Sequence, residues 1–255
     1  MFKIIICILA GLGAGLGTGF AGMSAAAVIS PMLIAFLDTD PYTAVGIALA
    51  SDVLASAVSA YTYGKNKNLD IKNGIIMMIS VLIFTFCGSF VASIVPKTAM
   101  GNFSVFMTFI LGVKFIVKPV VEPKKRLTDG TYRQKAVRSV ICGAGVGFIC
   151  GFVGAGGGMM MLLVLTSVLG YELKTAVGTS VFIMSATALT GAMSHFAIGG
   201  VPDVTALTVC IISTLVFAQL AAVIANKAKP ETLNRITGAI LVILGIAIFA
   251  VGKIK

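Results

Sequence analysis

The apolar stretches of this 255-residue chain hold very few side chains that could do chemistry. Asp52 and His195 each stand inside a long apolar run, and His195 is the only histidine. Enzymes need a nucleophile with a base, paired carboxylates or a metal cluster, and no such spacing occurs. We therefore expect no catalytic residue, metal site or cofactor, with a membrane-embedded enzyme as the alternative. The cysteines lack metal-ligand spacing and are expected to be buried thiols: Cys7, Cys87, Cys142, Cys150 and Cys210.

Asp52 is a carboxyl group that we expect near the middle of a membrane helix. It lies ten residues into the apolar stretch 42–63, which offers it no basic neighbour. Charge at that depth costs a few kcal/mol, so such residues usually face a cavity and carry function. Two roles are open: a proton-coupling carboxylate, and a structural hydrogen-bond anchor, for which Gln219 is a candidate partner. His195 lies near a helix end, where a polar anchor is commoner than a proton relay.

Glycine-rich junctions interrupt two of the apolar stretches. The first reads Gly22-Met23-Ser24, and the second reads Gly154-Ala155-Gly156-Gly157-Gly158. Each glycine weakens a helix by about 1 kcal/mol relative to alanine, so we expect broken helices there. Broken backbone at membrane depth must be satisfied by protein or by a water-filled cavity. The helices that follow would direct their N–H groups at an anion. The alternative is a simple tight turn.

Two neighbouring hydroxyls, Thr179 and Ser180, lie about one turn into the apolar stretch 175–198. Such hydroxyls can donate hydrogen bonds to an oxyanion, or bond to their own backbone four residues earlier. With Gly22, Ser24 and the residues Gly154, Gly156, Gly157 and Gly158, they form the predicted substrate-binding set.

The elements that must position these residues are transmembrane helices. Hydrophobic residues make up 58% of the chain and charged residues 11%, and the mean hydropathy is +1.06. A soluble domain needs a charged surface that this composition does not supply, whereas a transmembrane helix needs about 20 apolar residues. The formal charge of +10 lies mostly in loops, so we interpret it as an orientation signal and expect no nucleic-acid binding. These features predict an all-α integral membrane protein surrounded by the lipid bilayer.

The chain is an internal duplication. The sequence Gly19–Gly22 matches Gly151–Gly154, and Thr43–Gly46 matches Thr175–Gly178, both at an offset of 132 residues. Each half contains five apolar segments. As a helix, the second segment of each half is shorter than a bilayer core of about 30 Å. The predicted segments are 3–21, 23–37, 42–63, 73–95 and 101–117 in the first half, and 138–154, 156–170, 175–198, 204–225 and 232–252 in the second.

Two sets of glycines spaced four residues apart predict close helix packing. The first set is Gly11, Gly15 and Gly19, and the second is Gly143, Gly147 and Gly151. A small residue at every fourth position lets two membrane helices approach closely. We expect each set to face another helix.

Basic residues predict the orientation in the membrane. The linker 118–138 holds seven Lys and Arg residues, so we place it in the cytoplasm. By the same count the loops 64–74 and 226–235 lie inside. The loops that contain Asp38 and Asp203 lie outside, with both termini.

An odd number of crossings per half makes the two halves inverted repeats, as in many secondary transporters. Each repeat has about five helical segments, namely three full spans and a hairpin of short helices that need not cross fully. The predicted domains are a first membrane repeat at 1–117, the linker 118–138, and a second membrane repeat at 139–255.

Motifs of the second half carry a resemblance to a known family. They are Gly151–Gly158 (GFVGAGGG), Ala176–Ser180 (AVGTS) and Gly191–His195 (GAMSH), followed by Gly200 and Asp203. In this order and spacing they resemble the repeats of the sulfite exporter TauE/SafE family of membrane permeases. The first half fits more loosely, with Ser24-Ala25-Ala26 in place of three glycines and Ile47-Ala48 in place of Thr-Ser.

The resemblance implies transport of sulfite, sulfonates or related organosulfur anions, often outward. We therefore predict a multi-pass permease of the cell (plasma or inner) membrane that carries a small anion by rocking one repeat against the other. A passive anion channel and a membrane-embedded enzyme are the alternatives. Assembly into a homo-oligomer is left open.

Overall fold

The computed structural model describes residues 1–92, 132–153, 157–199 and 202–253, together with Val113 and Val117. All regular secondary structure in these residues is helical. A π-helical turn, Val164–Val168, follows α6 directly. The helices are α1 (Phe2–Ala21), α2 (Ala26–Leu37), α3 (Pro41–Lys65), α4 (Ile71–Ala92), α5 (Tyr132–Val153), α6 (Gly157–Leu163), α7 (Leu173–Gly199), α8 (Val204–Lys227) and α9 (Pro230–Lys253).

The helices lie close to the segments that the hydropathy pattern predicts, which confirms the all-α membrane fold. Among the helix starts, the largest difference is at α5, which begins at Tyr132 rather than at 138, so its first turns occupy residues assigned to the linker. Apart from Val113 and Val117, the predicted segment 101–117 lies outside the described residues, as does the linker up to residue 131.

Four described helices are long and apolar enough to cross a membrane: α1, α3 from Thr43, α7 up to Met193, and α8. The helix α2 has 12 residues and rises about 18 Å, short of a hydrocarbon core of about 30 Å. The helix α6 has seven residues and is shorter still. The second segment of each half is therefore a short helix, as predicted.

Aspartates set where the long helices begin. Asp40 Oδ2 accepts a hydrogen bond from the Thr43 N–H at 3.0 Å at the start of α3. Asp203 Oδ1 accepts from the Thr205 N–H at 2.9 Å at the start of α8. Asp70 plays the same part at the start of α4. Each carboxylate satisfies a backbone donor that the first turn leaves free.

Helices of one half pack against helices of the other. The first segment of each half packs along the fourth segment of the other half, so α1 lies on α8 and α5 lies on α4. The third segments, α3 and α7, pack on each other. This pairing is unchanged when the two halves are exchanged, as expected of a duplicated chain.

The glycines spaced four residues apart lie in the two equivalent contacts, as predicted. A Cβ on Gly15 would come within 2.7 Å of the Thr214 carbonyl oxygen in α8. A Cβ on Gly147 would collide with the Val81 carbonyl oxygen in α4. Gly15 and Gly147 differ by the repeat offset of 132, so both halves use the same close contact. The other described members that are equally close to a neighbouring helix are Gly11, Gly19 and Gly143.

Candidate functional site

The first predicted break is present between α1 and α2. Gly22 has a φ of 60°, in the left-handed region that glycine adopts without strain. The Thr18 hydroxyl donates to the Met23 carbonyl oxygen at 2.9 Å, and the Tyr63 hydroxyl donates from α3 to the Gly19 carbonyl oxygen at 2.8 Å. Side chains thus satisfy backbone groups around the break, which membrane burial requires.

The break of the second half touches the break of the first. Gly157 and Gly158 open α6. A Cβ on Gly158 would lie only 2.5 Å from the Ser24 backbone nitrogen, so the two backbones are in direct contact. The remaining predicted members of this junction, Gly154 and Gly156, lie outside the described residues.

Asp52 is fully buried and is hydrogen-bonded to the first break. The Ser24 hydroxyl donates to Oδ2 at 2.7 Å, and the Ser56 hydroxyl donates to Oδ1 at 2.8 Å. The Ala25 backbone supplies a further hydrogen bond. Because α2 begins at the next residue, the carboxylate also lies at the positive end of that helix dipole. Hydrogen-bond donors therefore stabilise the charged form of Asp52 inside the protein.

The hydroxyls of Thr179 and Ser180 reach across to the first half. Ser180 Oγ donates to the Gly22 carbonyl oxygen at 2.8 Å. Thr179 Oγ1 accepts from the Asp70 N–H at 3.2 Å. Ser180 thus donates its proton to the first break rather than to its own helix. Thr179, by contrast, bonds to the backbone of Asp70, beside a second polar cluster.

Two further predicted residues lie apart from this centre. Asp52 bonds to Ser24, Ser56 and the Ala25 backbone rather than to Gln219, whose Oε1 accepts from the Thr62 hydroxyl at 2.9 Å. His195 lies near the C-terminal end of α7, as predicted. In the described part of the chain, no three His, Cys, Asp or Glu side chains are grouped so that they could hold a metal ion.

A second polar cluster was not predicted, and we call it the Asp70 cluster. Its members are Asn68, Asp70, Tyr171, Lys174 and Asn226. The Tyr171 hydroxyl donates to Asp70 Oδ2 at 2.8 Å, and Asn68 Nδ2 donates to Asn226 Oδ1 at 2.7 Å. Lys174 Nζ donates to the Asn226 carbonyl oxygen at 2.9 Å. The cluster holds the loop after α3 against the start of α7 and the end of α8.

Burial and the neighbouring Asp70 carboxylate raise the pKa of Tyr171, so its phenol stays protonated and can donate. The partners of Asp70 and Asn68 in this cluster lie more than a hundred residues away along the chain. Only the packing of the two halves brings them together.

Related halves with a polar site between them recur in membrane transporters. Known proteins of similar sequence are described as probable membrane transporter proteins. "Probable membrane transporter protein YunE" of Bacillus subtilis (strain 168) is 26% identical over 263 residues, covering 95% of this chain and 96% of the relative. "Probable membrane transporter protein MJ0441" of Methanocaldococcus jannaschii is 23% identical over 258 residues, covering 94% and 93%.

Residues 7–248 match the model of the family described as sulfite exporter TauE/SafE, and the chain belongs to this family. The match extends over both halves, including the first half, where the motifs are weaker. It confirms the family that the second-half motifs indicated.

Proposed function

We propose that this membrane transporter is a permease for a small anion of the sulfite, sulfonate or organosulfur class, with export as its direction. The family description supports the sulfur chemistry. The observation that carries the location of the site is the contact between the two breaks, where Gly158 of one half lies on Ser24 of the other.

Alternating access follows from where this contact lies. A site shared between two rocking halves is exposed first to one side and then to the other. The proposed substrate-binding residues are Gly22, Ser24, Gly154, Gly156, Gly157, Gly158, Thr179 and Ser180. The hydroxyls of Ser24 and Ser180 are bonded across this region in the described conformation, so substrate entry requires them to exchange partners.

Asp52 is the proposed proton-coupling residue. Its partners are hydroxyls and backbone rather than a cation, so the carboxylate charge is not neutralised locally. Two like charges about 4 Å apart repel by about 4 kcal/mol at an effective dielectric constant near 20. An anion at the adjacent break therefore binds more favourably when Asp52 carries a proton.

We propose that the two repeats lie in the cell membrane in opposite orientations and that the basic linker faces the cytoplasm. The separation of charged loops described above supports this arrangement.

Flux in proteoliposomes tests the function. Purified protein is reconstituted and screened with sulfite, sulfate and methanesulfonate while external and internal solutes are analysed chemically. Saturable movement of an unmodified anion supports the permease, and conversion of the anion into another compound would indicate the enzyme instead. Movement that never concentrates the anion under an imposed proton gradient would indicate a passive channel.

Asp52→Asn tests the coupling. This change keeps the shape of the side chain but removes the titrating proton. We expect anion exchange to persist while acceleration by a proton gradient is lost. Ser51→Ala is the matched control, because Ser51 is equally buried in the same helix but bonds only to its own backbone. Unchanged pH dependence in Asp52→Asn would refute proton coupling at this residue.

Gly158→Ala tests the broken-helix site. One added methyl group meets the Ser24 backbone and separates the two breaks, so flux should fall strongly while membrane insertion remains normal. Gly145→Ala serves as the control, since a Cβ there meets nothing within 4 Å. Wild-type flux through the Gly158→Ala protein would exclude this contact from the transport path.

A further inference from the structure

Polar side chains recur along α3 on the C-terminal side of Asp52, whereas on its N-terminal side Ser51 is the one polar residue after Thr43. Ser56, Ser59 and Thr62 come after it at spacings of four, three and three residues, which keeps them near one face of the helix. Residues 44–50, on the other side, are all apolar or glycine. The line of hydroxyls thus runs from Asp52 towards the C-terminal end of α3, over roughly 15 Å.

Ser59 differs from the other hydroxyls of this helix. Its side chain is fully buried, and its Oγ has no hydrogen-bond partner among the described residues. Ser51, by contrast, donates to the Ile47 carbonyl oxygen at 2.8 Å, and Thr62 donates to Gln219 Oε1 at 2.9 Å. An unsatisfied buried hydroxyl costs about 1–3 kcal/mol. Such a group calls for an explanation, and a bound water is the commonest one.

Burial decreases along the line. Asp52, Ser56 and Ser59 are completely buried, Thr62 is 7% exposed, and Asn66 just beyond α3 is exposed. The hydroxyls therefore extend from the buried carboxyl group towards the end of the protein that carries the Asp70 cluster.

We propose that Ser59 binds a water molecule that relays protons between this end of α3 and Asp52. The inference rests on the proton coupling proposed above and adds the route and the side from which the proton comes. A hydroxyl can donate and accept at once. In uptake, the water at Ser59 receives a proton from the Thr62 end and passes one to Ser56. Ser56 passes its own hydroxyl proton to Asp52 Oδ1, to which it is bonded at 2.8 Å.

The proton balance of this relay is simple. Ser56 and the water each gain one proton and lose one, so only Asp52 changes its charge. Release is the same sequence in reverse, and no oxidant or other reactant is required.

Among the described residues, the helices packed around α3 offer no competing charged route. α2 carries no ionisable residue, and the lysines of α1, α7 and α8 (Lys3, Lys174 and Lys227) lie near helix ends. The groups bonded to Asp52 are Ser24, Ser56 and the Ala25 backbone. The other titratable residues of α1, α3, α7 and α8 are Cys7, Tyr42, Tyr61, Tyr63, Lys65, His195 and Cys210.

Time-resolved infrared spectroscopy tests the relay without a transported substrate. A pH jump is applied to the reconstituted protein, and the C=O stretch of the protonated Asp52 carboxyl group is followed, with Asp52→Asn used to assign the band. We expect Ser59→Ala to slow the appearance of the band several-fold without changing its final size. Alanine is the best helix former, so the variant should fold normally.

Two control variants separate the relay from a general loss of buried hydroxyls. Ser51→Ala removes a buried hydroxyl of α3 that is bonded to its own helix. Ser30→Ala removes a buried, unpartnered hydroxyl on α2, away from the line. Both should follow the pH jump at the wild-type rate.

The outcomes distinguish the relay from the coupling on which it rests. A wild-type rate in Ser59→Ala, or equal slowing in Ser30→Ala, overturns the relay, while proton-dependent flux still tests Asp52 independently. Absence of any Asp52 band in the wild-type protein overturns the relay and the coupling together.

Discussion

At the scale of single residues, hydroxyl groups form hydrogen bonds between distant parts of the chain. Ser180, Thr179 and Tyr171 of the second half bond to the first half, at Gly22 and Asp70. Ser24 bonds to Asp52 within the first half. A hydrogen bond to a charged group contributes about 1.5–3 kcal/mol, more than a neutral one. The bonds to Asp52 and Asp70 are therefore the ones whose loss should be measurable.

Tyr171→Phe should change how stability depends on alkaline pH. An unfolded tyrosine loses its proton near pH 10, whereas burial and Asp70 raise the pKa of Tyr171 in the folded protein. The unfolded state therefore releases a proton that the folded state keeps, and stability falls as pH rises above about 10. Below that pH the contribution of Tyr171 is fully present.

The measurement is thermal unfolding in detergent between pH 8 and pH 11, an interval chosen to bracket the tyrosine titration near 10. The phenylalanine variant should start less stable at pH 8, because the bond to Asp70 is lost, and should then lose less stability than wild type towards pH 11. Tyr61→Phe, at an exposed position, is the control. Parallel pH profiles for wild type and Tyr171→Phe would contradict the assigned environment.

At the scale of helices, close approach through glycine defines the two equivalent contacts. Gly15 of α1 lies against the backbone of α8, and Gly147 of α5 lies against the backbone of α4. Packing between membrane helices depends on such contacts, because the lipid offers no hydrophobic drive for helices to associate. A methyl group added here must separate two backbones.

Gly147→Ala and Gly145→Ala form a matched pair on α5. The first places a Cβ against the Val81 backbone and should destabilise the protein by about 1–3 kcal/mol. The second meets nothing within 4 Å and should be neutral, or stabilising by up to about 1 kcal/mol through helix propensity. Unfolding of both variants in the same detergent gives the comparison. Equal effects would show that α4 and α5 are not packed through this face.

Helix positions could be predicted from sequence more readily than side-chain partners. Apolar length and the offset of 132 residues determine the spans, and four-residue glycine spacing determines their contact faces. The partner of Asp52 was not predictable, because Ser24 and Gln219 are both polar residues of neighbouring segments. Only the path of the chain through the first break decides between them. The Asp70 cluster was not predictable either, because only the packing of the two halves brings its members together.

At the scale of the whole molecule, the Lys3–Asp203 ion pair and the Asp70 cluster mark opposite ends of the helices. Lys3 forms a salt bridge with Asp203, so the start of α1 and the start of α8 lie at one end. The Asp70 cluster joins the end of α3, the start of α7 and the end of α8 at the other. α8 therefore runs from the Lys3 end to the Asp70 cluster, which agrees with the grouping of loops by their basic residues.

Cysteine labelling tests which end faces the cytoplasm. In a background without the five native cysteines, single cysteines replace three exposed residues: Lys72 and Lys229 near the Asp70 cluster, and Thr205 near Lys3. A membrane-impermeant maleimide added to intact cells should label Thr205→Cys and leave the other two unmodified. Inside-out vesicles should give the reverse pattern, because basic loops stay on the cytoplasmic side. If Lys72→Cys and Lys229→Cys label from opposite sides, the end grouping itself is wrong. If both label from outside, the grouping holds but the protein is inserted the other way, and the proton relay would then open to the cell exterior.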